Sequence, residues 1–261
     1  MGRVFATADW HGCGKAAKEI LEWLEPDDTL YFLGDAIDRG PDGIALLDTL
    51  LQRPQTYFLK GNHEEMMNLA LNYLVKDNHM FVPTAQHWFQ NGGDVTWEVL
   101  KNKSKEEILE YQTKIKNMYY NCIYQSPNGH WVILSHAGFT PFCNREPRDN
   151  NPLWNRSHFV DKWDEGGEYG GLEPKDTYLV HGHTPVQYLR FEYGYRDKTN
   201  LSIKEMKHKN DWYKGRDLIT PKIIRYCDAH KFDIDMCTIV SKRVALLDLD
   251  TFKEIYFEEE N

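Results

Sequence analysis

The 261-residue sequence predicts an α/β protein whose functional site lies at the carboxyl ends of its strands. Short apolar runs of β-favouring residues recur along the chain, and several end abruptly in charged or polar residues. Amphipathic helical patterns follow the first three of these runs. Such alternation is typical of parallel strands in an α/β fold, in which ligand sites collect beyond the strand carboxyl ends.

Three strand–helix units open the chain. The second contains the loop LGDAIDRGPDG at residues 33–43, which places Asp35, Asp38 and Arg39 just beyond an uncharged strand. Taken alone, this loop has a structural explanation, in which Asp38 caps a turn and Arg39 pairs with a surface acid. The strands and helices of the three units are predicted, in alternation, at residues 3–8, 15–24, 29–33, 43–51, 56–60 and 65–75.

The middle of the chain is predicted to be helical, and strands return after it. Amphipathic patterns over about residues 84–120 indicate a helical cap. Residues 191–221 contain few aliphatic side chains and many charges, so they predict an exposed insertion. Further strands are predicted at residues 130–134, 177–180, 223–227, 237–241, 244–249 and 254–257.

Composition narrows the possible functions. The chain is 41% hydrophobic, which is enough to bury the core of one large domain. A formal net charge of −9 argues against sequence-independent binding of nucleic acid, which needs a concentrated basic face. The chain has neither an apolar run of about 18 residues nor a leader-like start, so we expect neither membrane spanning nor secretion. Five cysteines without a C-x-x-C pair indicate the reducing cytoplasm.

Polar residues at the ends of different strands are expected to share one site. Charges in such a crevice are costly unless they are paired or coordinate a metal. Mixed imidazole and oxygen ligands suit Mn²⁺, Fe or Zn²⁺ better than Ca²⁺ or a thiolate site. The candidate ligands are Asp9, His11, Asp35, Asn62, His136 and one of His181 or His183.

Five motifs, in order within residues 3–190, carry a resemblance to a known family. They are DWHG (9–12), GDAIDRG (34–40), GNHE (61–64), SHAG (135–138) and GH (182–183). Together they resemble the signature of calcineurin-like metallophosphoesterases. The second and third resemble the phosphoprotein phosphatase branch, which includes bacterial and phage serine/threonine protein phosphatases and symmetrical diadenosine tetraphosphatases. The sequence departs from the pattern at Ala8, at Cys13 and at Cys227–His230, which replaces the usual Asp-x-Gly.

The resemblance implies a fold and a metal centre. A single metallophosphoesterase domain would span residues 1–261, with a mixed β-sandwich flanked by helices in four α/β/β/α layers. Two divalent metal ions are implied, with Mn²⁺ favoured and Fe or Zn²⁺ as alternatives. A hydroxide bridging the metals would attack phosphorus. Asp9, His11 and Asp35 would hold one ion and Asp35, Asn62, His136 and His183 the other, with Asp35 bridging.

The resemblance also implies roles for the residues around the metals. Arg39 and Arg156, with Asn62, would bind the phosphate, because guanidinium forks match its oxygens. His63 would protonate the leaving oxygen, and Asp38 would orient His63 and raise its pKa.

Several conspicuous residues have simpler interpretations. Glu64 is expected to be a helix-start acid. The tryptophans, Trp88 and Trp154 among them, are expected to pack in the core or cap rather than stack on bases. His181 is a candidate for the layer behind the ligands, and His230 for a substrate contact.

The implied function is metal-dependent phosphoester hydrolysis by a serine/threonine protein phosphatase acting on a phosphorylated protein. Hydrolysis of diadenosine tetraphosphate or another nucleotide is the alternative, because the motifs surround one phosphate and say little about what is attached to it. A non-catalytic metal-binding module is a third hypothesis, but it leaves Asp38, His63 and the arginines unexplained. No nucleic-acid or membrane partner is expected.

Overall fold

The computed structural model describes residues 2–77, 82–138, 151–156, 174–192, 220–226 and 229–258. Within these residues, ten strands form two five-stranded sheets. The strands are β1 (Val4–Thr7), β2 (Thr29–Phe32), β3 (Thr56–Phe58), β4 (Asn121–Gln125), β5 (Trp131–Ser135), β6 (Thr177–His181), β7 (Ile224–Tyr226), β8 (Lys231–Asp233), β9 (Arg243–Asp248) and β10 (Glu254–Glu258).

Both sheets are mixed. The first has the order β10-β9-β1-β2-β3, in which β1, β2 and β3 are parallel to one another and β9 is antiparallel to β1. The second has the order β4-β5-β6-β8-β7, in which β5, β6 and β8 are parallel and the edge strands are antiparallel to their neighbours. The carboxyl ends of the parallel strands therefore lie together at one edge of each sheet.

Helices follow each of the first three strands and fill the middle of the chain. The segment Phe89–Gly93 joins two of them through a kink at Gly92, whose φ of 96° is not helical. The longest helix of the middle segment starts at a capping box, in which Ser104 and Glu107 each accept a backbone N–H of the other. The described helices are α1 (Gly14–Trp23), α2 (Gly43–Gln52), α3 (Asn62–Asp77), α4 (Pro83–Trp88), α5 (Asp94–Leu100), α6 (Lys105–Lys116), α7 (Val186–Glu192) and α8 (Thr238–Ser241).

Side-chain alternation along the strands separates two hydrophobic layers. On β1, Ala6 belongs to the cluster between the sheets, which includes Val132 of β5, whereas Phe5 belongs to the cluster that the first sheet forms with α1 to α6. On β9, Leu247 and Leu246 divide in the same way. The structure confirms the predicted α/β class, with a mixed β-sandwich flanked by helices.

Several sequence predictions need comment. The strand predicted at 237–241 is wrong, because Thr238–Ser241 is helical and the residues on either side, Cys237 (φ 53°) and Lys242 (φ 56°), are left-handed. The sequence did not predict β4 or β8. Residues 193–219 of the predicted insertion lie outside the described residues. In the described part of the chain, no helix is long and apolar enough to cross a membrane.

Candidate active site

The loops that leave the parallel strands of the two sheets converge at one end of the sandwich. The loops after β1 and β2 are joined by backbone bonds from Asp9 N to Gly34 O (3.1 Å) and from His11 N to Asp35 O (3.0 Å). The second sheet is tied to them through His136, whose Nδ1 donates to Leu33 O (2.7 Å). Strand ends from both sheets therefore contribute side chains to the same place.

Asp35 lies at the centre of this place and is shared by two groups of side chains that could hold metal ions. One group is His11, Asp35 and His63, and the other is Asp35, His136 and His183. Asp35 Oδ2 lies 3.7 Å from His11 Nε2 and 3.5 Å from His136 Nε2. All five residues are buried, so their ligand atoms converge away from bulk water.

Asn62 completes the second group. Its Oδ1 lies 2.8 Å from His136 Nε2 and 2.9 Å from His183 Nδ1. Because His136 Nδ1 donates to a carbonyl oxygen, Nε2 of the neutral ring carries a lone pair that faces the Asn62 oxygen. Two acceptors this close need a proton or a cation between them. The geometry and the donor set fit a metal ion bound by nitrogen and oxygen ligands.

Asp9 belongs to neither of the two groups. Its Oδ2 accepts a hydrogen bond from His183 N (3.0 Å). Its Oδ1 is buried and has no hydrogen-bond partner among the described residues, and the same is true of His183 Nε2. Buried polar atoms are rarely left unpaired, so both atoms are consistent with metal ligation. His11 Nδ1 donates to Ile37 O (3.0 Å), which leaves Nε2 as the acceptor that a metal requires.

The carboxylates of the site have opposite pKa shifts. Burial and the charge of Asp235 raise the pKa of Asp9 well above its usual value. Burial would also raise the pKa of Asp35, but the imidazoles of His136 and His63 outweigh it and lower that pKa. Asp35 is thus held as a carboxylate, the form that binds metal.

Burial also shapes the ligand histidines. It lowers the pKa of His11, His136 and His183, with further lowering of the His11 value by Arg39. Neutral imidazole is the form of histidine that binds metal. The buried site therefore favours the ligand form of each ring.

The backbone of the site is strained. In the described part of the chain, eleven non-glycine residues have positive φ, and six of them are candidate site residues. Such conformations persist only where surrounding contacts enforce them, and they cluster at functional sites. The six are Asp9, His11, Asp35, Asp38, Arg39 and His183.

His63 and Asp38 form a buried pair beside the first group. His63 Nδ1 lies 2.7 Å from Asp38 Oδ2. Burial would lower the pKa of His63, but the charges of Asp35 and Asp38 and the hydrogen bond to Asp38 outweigh it and raise that pKa. The ring is thus held towards its protonated form, in which it can donate a proton.

Arg39 and Arg156 are exposed at the mouth of the site. The Arg39 guanidinium lies 2.7 Å from His11 Nε2 and 3.0 Å from His63 Nε2, and Arg156 Nε donates to Thr184 Oγ1 (3.0 Å). Both arginines line a cavity of about 610 Å³ together with His11, Asp35, Asn62, His63 and His183. The cavity is large enough for a phosphate and an attached group.

Glu64 does more than the sequence suggested. Its carboxylate is fully buried and accepts backbone hydrogen bonds from Asp35 N (2.8 Å), Ala36 N (2.9 Å) and Gly61 N (2.9 Å). Burial and the charge of Asp35 raise its pKa to about 7. Glu64 therefore stands behind Asp35 and fixes its backbone, although the bond to Gly61 is also the one a helix-start acid makes.

Asp233, the last residue of β8, and Asp235 were not predicted as site residues from the sequence. Both are buried, Asp235 lines the cavity, and Cys237 N donates to Asp235 Oδ1 (2.7 Å). Asp235, Met236 and the left-handed Cys237 match in backbone form what an Asp-x-Gly sequence would give. Residues 235–237 are therefore a second candidate for that motif besides Cys227–His230, of which residues 227–228 lie outside the described part of the chain. Alternating aspartates in a short strand gave no signal of burial.

The remaining candidates divide between the site and its surroundings. His183, not His181, belongs to the ligand group, and His181 Nε2 instead contacts Tyr226 Oη (2.6 Å). His230 Nδ1 lies 3.0 Å from Thr177 O, at the start of β6, far along the strand from its carboxyl end. Trp88 is fully buried as expected, but Trp154 is 36% exposed and lines the cavity.

Comparisons with known proteins agree with this geometry. Residues 2–234 match the family model of the calcineurin-like phosphoesterases. A symmetrical bis(5'-nucleosyl)-tetraphosphatase from Legionella pneumophila is 36% identical over 231 residues, which cover 87% of this chain and 68% of the relative. Serine/threonine-protein phosphatase 1 from Salmonella typhimurium is 26% identical over 193 residues, covering 70% and 79%.

Other matches are shorter or concern the fold alone. Against a symmetrical tetraphosphatase from Pseudomonas syringae, 25% identical over 142 residues, the chain spans only 41% of the relative's length. A metallophosphoesterase from Sphaerobacter thermophilus has a TM-score of 0.52 at 11% identity, covering 99% of this chain and 88% of the other. A cold-active protein-tyrosine phosphatase from a Shewanella species has a TM-score of 0.54 at 14% identity, covering 99% and 81%. From its motifs, its strand-end site and these matches, the chain belongs to the calcineurin-like phosphoesterase family.

Proposed function

We propose that the protein is a metal-dependent phosphoester hydrolase. The observation that carries this proposal is the position of Asp35, which is shared by two metal-capable groups within one cavity. An acid–base pair and two arginines open onto the same cavity or lie directly beside it. A site that only stored metal would not need these additional residues.

The metal ligands proposed from the sequence are retained. Asp9, His11 and Asp35 would hold one ion, and Asp35, Asn62, His136 and His183 would hold the other. Bound divalent metals, with Mn²⁺ favoured over Fe or Zn²⁺, would activate water and neutralise charge on the phosphate. The fixed Nδ1–H donors of His11 and His136 hold their Nε2 atoms toward the site.

Arg39 and Arg156 are proposed to bind phosphate oxygens, with Asn62 beside them. Both guanidinium groups are exposed at the cavity, where a planar fork with several N–H donors can orient a phosphate. The Arg39 guanidinium lies 2.7 Å from His11 Nε2 and 3.0 Å from His63 Nε2, so its side chain already reaches the reacting region.

His63 is proposed as the proton donor to the leaving oxygen. Its Nδ1 is tied to Asp38, so Nε2 is the atom that faces the cavity and transfers the proton. The raised pKa keeps the proton available at higher pH, and a positioned donor of this kind is typically worth about 10² to 10⁴ in rate.

For the substrate, we propose a phosphoserine or phosphothreonine residue of a protein. The GDAIDRG and GNHE motifs and the Salmonella relative named as a protein phosphatase support this choice. The Legionella relative, named as a symmetrical tetraphosphatase, supports a nucleotide substrate equally well. The exposed ring of Trp154, 5.5 Å from that of His183, also offers a face on which a base could stack.

We also propose a cytoplasmic location. This rests on the five cysteines, an odd number without a C-x-x-C pair.

A substrate panel tests the function. Purified protein with added Mn²⁺ would be assayed against p-nitrophenyl phosphate, a phosphoserine peptide and diadenosine tetraphosphate. Hydrolysis of the aryl phosphate is expected in either case. A kcat/KM that is higher on the peptide than on the dinucleotide supports a protein phosphatase, and the reverse order supports the alternative. If the metal-bound protein hydrolyses none of the three substrates, the proposed function is overturned.

A further inference from the structure

Besides His63, Asp38 is held by Trp88, the last residue of α4, and by Thr96 in α5. Trp88 Nε1 donates to Asp38 Oδ2 (2.8 Å), the same oxygen that lies 2.7 Å from His63 Nδ1. Thr96 Oγ1 donates to the other oxygen, Oδ1 (2.6 Å). Both oxygens of the Asp38 carboxylate are therefore held by hydrogen bonds that do not involve His63.

Thr96 also fixes the backbone of Asp38. Asp38 N donates to Thr96 Oγ1 (3.0 Å), so one hydroxyl both accepts from the Asp38 backbone and donates to its side chain. Asp38 has φ 71°, a conformation that costs energy in a non-glycine residue and persists only where contacts enforce it. Asp38, Trp88 and Thr96 are all buried, so water is not available to replace these bonds.

The chain between Trp88 and Thr96 is shaped to make these contacts. The segment Phe89–Gly93 is kinked at Gly92, which has φ 96° and whose carbonyl oxygen accepts from Arg39 N (3.0 Å). At Gly93, an added Cβ would collide with the indole nitrogen of Trp88. Gly92 thus lets the backbone approach Arg39, and Gly93 lets the indole reach Asp38.

We propose that Trp88 and Thr96 are positioning residues for proton donation by His63, acting through Asp38. The inference rests on the proposed function, in which His63 is the donor. On this proposal, Trp88 of α4 and Thr96 of α5 hold the Asp38 carboxylate so that its Oδ2 contacts His63 Nδ1, in addition to the packing of these helices against the sheet.

A purely structural role would give different results from a positioning role. Thr96→Val keeps the shape of the side chain and removes its hydroxyl, whereas Thr96→Ser keeps the hydroxyl and removes a methyl group. Trp88→Phe removes the indole N–H and keeps an aromatic ring. Thr113→Val in α6 is the matched control, because the exposed Thr113 Oγ1 donates to Leu109 O (2.9 Å) within its own helix.

The first test compares two leaving groups with Mn²⁺ present. Thr96→Val should lower kcat by about 10- to 100-fold on a phosphoserine peptide, whose alkoxide needs protonation, and clearly less on p-nitrophenyl phosphate. Thr96→Ser and Thr113→Val should stay close to wild type. Asp38→Asn should show the same leaving-group pattern, and Thr96→Val should add little to it, because the two residues act as one unit.

The second test needs no turnover. The His63 Nδ1–H proton, identified in the NMR spectrum by its absence in His63→Asn, should shift or broaden in Thr96→Val and remain in Thr96→Ser. If wild type hydrolyses no ester, the proposed function fails while this signal still decides the positioning role. An unchanged signal in Thr96→Val, equal losses on both esters, or effects additive with Asp38→Asn would each overturn the proposal.

Discussion

The two ends of the sandwich treat buried charge in opposite ways. At the end where β1 and β2 begin, Asp28 accepts from Arg3 N (2.9 Å) and Glu25 N (2.9 Å), and its side chain pairs with the Arg3 guanidinium. At the end where these strands finish, Asp9 has an oxygen with no partner among the described residues. At the first end the Asp28 carboxylate is satisfied by donors of the chain itself. At the second end Asp9 keeps an oxygen that is available to a bound metal ion.

The pKa shifts express the same difference. Burial would raise the pKa of Asp28, but the hydrogen bond from Arg3 and its other partners outweigh it and lower that pKa. Burial and Asp235 raise the pKa of Asp9. Since native proteins are only marginally stable, we infer that the functional end costs stability which the rest of the fold supplies.

The largest expected effect is that of Asp9→Asn. Activity with Mn²⁺ should fall by at least about 100-fold, because even partners behind a metal ligand are worth about 10- to 100-fold. The metal-free variant should nevertheless be more stable than wild type near neutral pH. Because the pKa of Asp9 is raised in the folded protein, ionisation of Asp9 lowers the free energy of unfolding as pH rises above about 4, the pKa in the unfolded chain. Asparagine does not ionise, so the variant loses none of this stability.

Urea unfolding of metal-free protein near neutral pH and below pH about 4, with activity assays alongside, checks this prediction. The gain in stability should shrink at the lower pH. An Asp9→Asn protein that is fully active, or less stable than wild type without metal, would show that Asp9 is an ordinary structural residue.

A smaller effect is expected for Glu64→Gln. The side-chain N–H₂ of the glutamine would face a backbone N–H group that now donates to the Glu64 carboxylate. Two donors cannot pair, so the loop that carries Asp35 should shift. We expect activity and Mn²⁺ affinity to fall together by about 10- to 100-fold. Glu65→Gln, one residue along α3 and paired with Lys60 (3.1 Å), is the matched control. Equal behaviour of the two variants would argue against a role behind Asp35.

The smallest effect on activity is expected at the opposite end. Asp28→Asn should destabilise the protein by about 1–3 kcal/mol, because donors of Arg3 and Glu25 lose part of their acceptor, and should leave activity unchanged well below the unfolding transition. Because the pKa of Asp28 is lowered in the fold, its contribution is present above the unfolded value of about 4 and is lost as pH falls further. Thermal unfolding at several pH values measures this, and lost activity without lost stability would contradict it.

The sequence alone predicted the residues at the strand ends better than it predicted the residues that hold them in place. The polar tips after β1, β2 and β3 could be predicted because each follows a short uncharged strand, and the parallel order places them together. Glu64 shows a limit, since its carboxylate also reaches Asp35 and Ala36, 29 and 28 residues away along the chain. Trp88 and Thr96 show another, because their target, Asp38, lies about fifty residues away or more. Asp235 was missed because β8 is only three residues long.

The central claim is that the groups sharing Asp35 hold the metal that turnover requires. The most direct measurement records bound metal by inductively coupled plasma mass spectrometry and p-nitrophenyl phosphate turnover on the same samples. Samples would be taken after chelation and again during stepwise addition of Mn²⁺. We predict that turnover is absent without metal and returns as occupancy approaches two ions per chain. Full turnover in a sample verified to be metal-free would contradict the account.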